Sequence, residues 1–79
     1  MTKKDIKIDF EKKIIYCKSN KKCDARELYS YLMDLFDEPE NMRYDIPIEA
    51  VSKTEFRLIN GWKLDKGSLK FIKGKIISD

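Results

Sequence analysis

The residues of this chain that could carry out chemistry are two cysteines and a group of carboxylates, since the 79-residue sequence contains no histidine. Histidine is the commonest general base near neutral pH, so neither a serine–histidine nor a cysteine–histidine pair can form. The three glycines are scattered at positions 61, 67 and 74, which leaves no glycine-rich loop to bind phosphate. The composition therefore argues against an enzyme, and we expect no catalytic residue and no cofactor.

The two cysteines stand in different sequence contexts. Cys17 ends an apolar, strand-like run, which is typical of a buried and inert thiol. Cys23 follows two lysines and directly precedes Asp24 at a predicted helix start, where positive charge and the helix N-terminus would lower its pKa. Cys23 is the better candidate for a reactive thiol, although a structural role is favoured for both. No export signal is recognised, so reduced thiols are expected, and two cysteines without histidine are too few for zinc.

Asp34, Asp37 and Glu38 form an acidic cluster near the end of the predicted helix. Carboxylates are mildly unfavourable at the negative end of a helix dipole, so the cluster would gain from a cationic partner or a metal ion. A solvated helix end is the simpler interpretation and is favoured, and we assign no metal ligand.

Charge divides the chain into three blocks. Residues 1–23 carry a net charge of +5, residues 24–49 carry −6 and residues 50–79 carry +4. Such blocks either form a solvated surface of mixed charge, which is favoured, or provide a docking face.

One amphipathic helix of about 14 residues is the clearest predicted element. It begins at Asp24, which can cap the first turn together with Glu27, and it ends by Glu38 because Pro39 follows. Apolar residues recur at helical spacing on one face. The predicted core combines that face with a strand: Leu28, Leu32, Leu35, Phe36, Phe56 and Leu58.

The remaining elements are predicted as strands. Alternating apolar residues predict a hairpin from about residue 5 to residue 19. In the last third, residues 55–59, 62–64, 69–72 and 76–77 predict an antiparallel meander, with Asn60-Gly61 as a type I′ turn. Trp62 follows that turn and lies either in the core, which is favoured, or at an interface as an exposed anchor.

The predicted fold is a single small α+β domain over residues 1–79. It has an N-terminal β-hairpin, one amphipathic helix and a C-terminal antiparallel β-meander packed on the helix. No run of about 18 apolar residues is present that would predict a membrane span.

A long loop is predicted over residues 38–48. It serves either as a contact surface, since loops of this length in small domains are often functional, or only as packing. Its possible anchors into the core are Met42, Tyr44, Ile46 and Ile48. The candidate interface comprises Asp37, Glu38, Met42, Arg43, Tyr44, Ile46 and Trp62.

Residues 24–74 also carry a set of short motifs: LYS at 28–30, FDE at 36–38, LINGW at 58–62 and KFIKG at 70–74. With this spacing, the segment resembles one near the N-terminus of structural proteins from tailed bacteriophages. Single residues that match the same pattern are Leu32, Asp34, Met42, Pro47, Thr54 and Phe56.

The resemblance implies a non-enzymatic virion structural protein, such as a tail-fibre or head-fibre protein, or its anchoring domain, that mediates protein–protein assembly. The implied partners are other virion proteins and further copies of this chain, in a virion assembled in the host cytoplasm. Nucleic acid and membrane are not expected partners. The alternative is a small cytoplasmic binding module of phage origin that binds a host protein or nucleic acid.

Overall fold

The computed structural model describes residues 2–18 and 22–78, apart from the side chain of residue 3. The end of the predicted hairpin at residue 19, and Lys21, one of the two lysines before Cys23, lie outside the described residues. Within the described part, the chain has one α-helix, α1 (Ala25–Phe36), and two 3-10 turns, Lys3–Asp5 and Pro39–Asn41. The strands there are β1 (Ile6–Asp9), β2 (Ile14–Cys17), β3 (Lys22–Asp24), β4 (Ile48–Ala50), β5 (Glu55–Leu58), β6 (Lys63–Asp65), β7 (Lys70–Lys73) and β8 (Lys75–Ile77). The α+β class is therefore confirmed.

Helix α1 begins where the sequence predicts. The Asp24 carboxylate accepts a hydrogen bond from the Arg26 backbone amide at 2.9 Å, which satisfies one free donor of the first turn. Glu27 does not complete the predicted capping pair, because its carboxylate accepts a hydrogen bond from the Tyr31 hydroxyl at 3.0 Å. The helix is 12 residues long, slightly shorter than predicted, and ends at Phe36.

The N-terminal hairpin is formed by β1 and β2, which pair antiparallel with Ile6 opposite Cys17 and Asp9 opposite Ile14. Its turn contains neither glycine nor proline. Lys13 instead adopts a positive φ of 55°, which is uncommon for a side chain of this size.

The C-terminal strands follow the predicted meander only in part. β6, β7 and β8 each pair in parallel with an earlier strand, namely β2, β3 and β5. The antiparallel neighbour of β5 is β4, which lies at the end of the segment predicted to be a loop. The chain thus forms two three-stranded sheets, β1-β2-β6 and β4-β5-β8, and one two-stranded sheet, β3-β7, among the described residues.

The Asn60-Gly61 turn shows why the meander does not form. Both residues have positive φ, at 60° and 82°, as a type I′ turn requires. The strands on either side nevertheless separate, because the Lys63 amide donates to the Lys13 carbonyl at 2.9 Å and β6 joins β2. The prediction of the turn is borne out by the backbone angles, whereas the prediction that it connects two paired strands is wrong.

The core lies between α1 and the three sheets. Five of the six predicted core residues are buried, and Leu35 is half-buried against them. Tyr29 links helix and sheet, since its ring stacks on Phe56 with a centroid distance of 4.6 Å. The buried apolar residues are Ile6, Ile15, Cys17, Cys23, Ala25, Leu28, Leu32, Phe36, Ile48, Phe56, Leu58, Trp62 and Leu69.

Candidate docking surface

The segment after α1 is an ordered loop held by hydrogen bonds to the helix end. Pro39 starts a 3-10 turn, for which its fixed φ is suited. The Asn41 side-chain amide donates to the Leu35 carbonyl at 2.8 Å, which satisfies a carbonyl in the last turn of the helix. The Tyr44 amide then donates to the Asn41 carbonyl at 3.1 Å. These bonds fix residues 38–44 against α1.

One side of this loop borders a hollow of about 210 Å³, which we call the basic hollow. Its lining residues come from three distant parts of the chain: Phe10, Lys13, Arg43, Tyr44, Asp45, Asn60 and Trp62. The Phe10 and Tyr44 rings stack at a centroid distance of 4.3 Å, and Trp62 meets Phe10 edge-on at 6.0 Å. Packed aromatic rings therefore form much of its wall.

The charged groups of the basic hollow are two cations and one carboxylate. Lys13 donates through Nζ to the Asn60 carbonyl at 3.0 Å, which holds the ammonium at the rim. The Arg43 guanidinium lies over the Tyr44 ring at 5.0 Å and donates to the Tyr44 hydroxyl at 2.9 Å. Asp45 is the only carboxylate in the described lining. The hollow can thus accept an anionic group beside an aromatic surface.

A second hollow of about 220 Å³, which we call the acidic hollow, lies at the C-terminal end of α1. Asp34 and Asp37 supply its charge, and Met33, Phe36 and Ile46 supply its apolar surface. No basic residue occurs in the last turn of α1 itself. The helix dipole adds further negative potential there.

The two hollows adjoin each other. Phe36 of the acidic hollow meets Trp62 of the basic hollow edge-on, with a centroid distance of 5.4 Å. The Asn60 side-chain amide, at the basic hollow, donates to the carbonyl of Ile46, which lines the acidic one, at 3.2 Å. The loop of residues 37–46 contributes to both hollows and exposes 64% of Met42 and 47% of Ile46. Opposite charges and exposed apolar side chains therefore occupy one continuous part of the surface.

The residues predicted as an interface are distributed around these hollows. Asp37, Met42, Arg43 and Ile46 are exposed, and Glu38 and Tyr44 are half-buried. Trp62 is only 4% exposed, so it supports the basic hollow from within the core and does not project as an anchor. The favoured placement of Trp62 in the core is confirmed, and the alternative of an exposed anchor is wrong, because both Phe10 and Phe36 pack against its ring.

The predicted loop anchors also behave differently from one another. Ile48 is buried and begins β4, and Tyr44 is half-buried against Phe10. Met42 and Ile46 are exposed, so they are not anchors.

Phe10, Lys13 and Asn60 belong to the basic hollow but are not among the site residues that the sequence predicts. The Asn60-Gly61 turn is recognisable in the sequence, yet nothing local indicates that residues 10–13 lie beside it. Their proximity depends on the parallel pairing of β2 with β6, which places Ile14 opposite Lys63.

Both cysteines are free and buried. Burial, with smaller contributions from Cys23 and nearby carboxylates, raises the pKa of the Cys17 thiol to about 12. Burial followed by the Glu27 charge also raises the pKa of Cys23, so the predicted lowering at the helix start is wrong. A buried thiol loses the hydration of its thiolate, which disfavours the charged form.

Among residues 2–18 and 22–78, no group of three or more histidine, cysteine, aspartate or glutamate side chains is arranged to hold a metal ion. In the same part of the chain, α1 is too short to cross a lipid bilayer.

Comparison with protein families, with curated proteins and with solved structures gives no match to this chain. The resemblance to structural proteins of tailed phages therefore stays a prediction.

Proposed function

We propose that this chain is a non-enzymatic virion structural protein of a tailed phage, or the anchoring domain of one, that mediates protein–protein assembly. The observation that carries the proposal is the surface around the loop of residues 37–46, which contributes to two adjoining hollows of opposite charge and exposes Met42 and Ile46. The proposed location in a virion rests on the resemblance of the sequence motifs to those of phage structural proteins.

The chemistry of this surface suits protein recognition. Tyrosine and arginine are enriched among residues that dominate binding energy, and Arg43 with Tyr44 provides such a pair at the rim of the basic hollow. Methionine adapts its shape to a partner, which suits exposed Met42. The hydrogen bonds from Asn41 order the loop before binding, so less conformational entropy is lost on docking.

The proposal is tested by quantitative mass spectrometry of purified phage particles from the source of this sequence. We expect the chain to be present at a constant copy number per particle. Its absence from the particles would exclude a virion role.

A footprint on the particles tests which surface is used. Mild oxidation should convert exposed Met42 to its sulfoxide in the chain diluted until it is monomeric, and should leave Met42 largely protected in the particle. Half-buried Met33 lines the acidic hollow and should also become more protected in the particle. Equal oxidation of Met42 in the free and assembled states would place the contact elsewhere.

The alternative is a cytoplasmic module that binds a host protein or nucleic acid. For nucleic acid, the supporting observation is that the N-terminal hairpin exposes Lys7, Lys12, Lys13 and Lys18. Log affinity for single-stranded DNA would then fall steeply with log salt concentration. We favour the assembly role because the acidic hollow adjoins the basic hollow, which Lys13 lines, and would repel a phosphate backbone bound there.

A further inference from the structure

We propose that the docking surface binds a second copy of this chain about a twofold axis, with the basic hollow of each chain facing the acidic hollow of the other. The inference rests on the proposed assembly function and names one partner and the residues that pair. Arg43 of each chain is expected to lie against Asp37 of its partner.

The first support is the charge of the two groups. Arg43 is exposed, and its guanidinium interacts with Tyr44 but with no carboxylate in the described part of the chain. Asp37 is exposed at the end of α1, and its carboxylate forms no ion pair within residues 2–18 and 22–78. An arginine from outside would relieve the unfavourable position of Asp37 beside the negative end of the helix dipole.

The second support is the adjacency of the hollows. In a twofold dimer, every contact between residue i and residue j of the partner is repeated as a contact between j and i. A surface that carries a basic region directly beside an acidic one is therefore its own complement. The Phe36–Trp62 contact and the Asn60–Ile46 hydrogen bond show that these two regions are neighbours.

The third support is the exposed apolar surface of the same loop. Met42 and Ile46 are both exposed, Ile46 lines the acidic hollow, and their burial across the axis would form the apolar part of the interface. Charged pairs would then lie around an apolar centre, which is the usual arrangement of a protein interface. The charges set the register of the two chains, and the apolar contacts supply much of the affinity.

The test is charge reversal followed by mixing. The molar mass of the chain is measured by analytical ultracentrifugation over a range of concentrations for wild type, Arg43→Glu and Asp37→Arg. We expect wild type to reach the mass of two chains. Each variant should raise the dissociation constant of the dimer at least about tenfold, because both symmetry-related pairs become like-charge contacts.

An equimolar mixture of Arg43→Glu and Asp37→Arg should restore the dimer. Each heterodimer then contains one pair formed by the two introduced side chains, a glutamate and an arginine, and one pair formed by the native Asp37 and Arg43. Both contacts are again of opposite charge, whereas misfolded variants would not regain association on mixing. Lys53→Glu is the matched control. Lys53 is exposed in the turn between β4 and β5, and its substitution by glutamate changes the net charge by the same amount as Arg43→Glu. It should leave the dissociation constant unchanged.

Three results would overturn the inference. The first is a monomeric wild type, and the second is a pair of variants whose association does not recover on mixing. The third is a mass that keeps growing past two chains with concentration, which indicates head-to-tail contacts and no closed twofold. A chain that is present in particles but monomeric in solution would disprove the dimer and leave the assembly role standing. A dimer that is absent from particles would disprove only the assembly role.

Discussion

Gly74 is the glycine at which an added methyl group is expected to destabilise the fold most. Its φ is 76°, and a Cβ built there would lie 2.3 Å from the Thr54 carbonyl oxygen and 3.2 Å from the Ala25 methyl. The Lys75 amide donates to the same Thr54 carbonyl at 2.9 Å, so that carbonyl cannot move away without losing a bond. We expect Gly74→Ala to lower the free energy of unfolding by about 3 kcal/mol or more, measured by urea denaturation.

Gly61→Ala is the matched control for Gly74→Ala. Gly61 also has positive φ, at 82°, but a Cβ added to it would have as its nearest neighbour the Lys13 side-chain Cδ at 3.8 Å. Gly61→Ala should lower the free energy of unfolding by only about 1 kcal/mol, which is the penalty for holding an alanine at positive φ. Equal losses for the two variants would contradict the role of the Thr54 contact.

The buried thiol of Cys17 should make stability depend on alkaline pH. Because its pKa rises from 9.0 to about 12 on folding, the unfolded chain loses this proton first as pH increases. The contribution of Cys17 to stability is therefore constant below pH 9 and falls between pH 9 and pH 12, by up to about 1.4 kcal/mol per pH unit. Cys17→Ala should be less stable at pH 7 and should show a shallower decline above pH 9, measured by denaturation at each pH. Parallel curves for the two proteins would show that the thiol does not contribute.

At the scale of the element, Asn41 connects α1 to the loop that carries the docking surface. Its side-chain amide donates to the Leu35 carbonyl, and its backbone carbonyl accepts from the Tyr44 amide. We expect Asn41→Asp to lower the free energy of unfolding by about 1 to 2 kcal/mol, since it removes the donor and adds negative charge at the helix end. Asn41→Ala should lower the free energy of unfolding by about 1 kcal/mol, since it removes the donor without adding a charge.

Hydrogen exchange measures whether Asn41 also orders the loop. The Tyr44 amide should exchange faster in Asn41→Asp than in wild type, while amides in the middle of α1 change only as much as global stability does. Unchanged exchange at Tyr44 would mean that the loop stays ordered without the Asn41 side-chain bond, through its backbone hydrogen bonds and the Phe10–Tyr44 stack.

Elements defined by local sequence are predictable from the sequence. The spacing of Leu28, Leu32 and Phe36 and the cap at Asp24 place α1 to within two residues of its observed end. The Asn60-Gly61 angles also follow from residue type, because both residues tolerate positive φ. Strand partners are less predictable, since Ile15 pairs with Leu64 and Phe56 with Ile76, and such distant pairing leaves no periodic signal in either strand.

At the scale of the whole molecule, the difference between local sequence and distant strand pairing explains which parts of the candidate site are predictable. The acidic hollow is built largely from the end of one helix, so Asp37 can be singled out from the sequence. The basic hollow needs the β1–β2 turn, the loop and the Asn60-Gly61 turn to meet. That meeting depends on the β2–β6 pairing, which is why the sequence does not reveal Lys13 as a site residue.

The whole molecule should unfold as one unit although its strands belong to three separate sheets. Each sheet contributes residues to one buried cluster around α1, for example Ile15, Cys23 and Phe56. No sheet can bury its apolar face without the others, and small domains with one core usually unfold in a single transition. We therefore expect tryptophan fluorescence and far-ultraviolet circular dichroism to give coincident urea transitions.

Trp62 makes that comparison sensitive, because it is the only tryptophan in the sequence and is 4% exposed between Phe10 and Phe36. Its emission reports on the packing of β6 with the end of α1, whereas circular dichroism reports mainly on the helix. A Trp62 transition at lower urea than the circular dichroism transition would mean that the aromatic cluster opens before α1 melts. The docking surface would then be lost before the fold, because the ring of Trp62 supports the basic hollow from below.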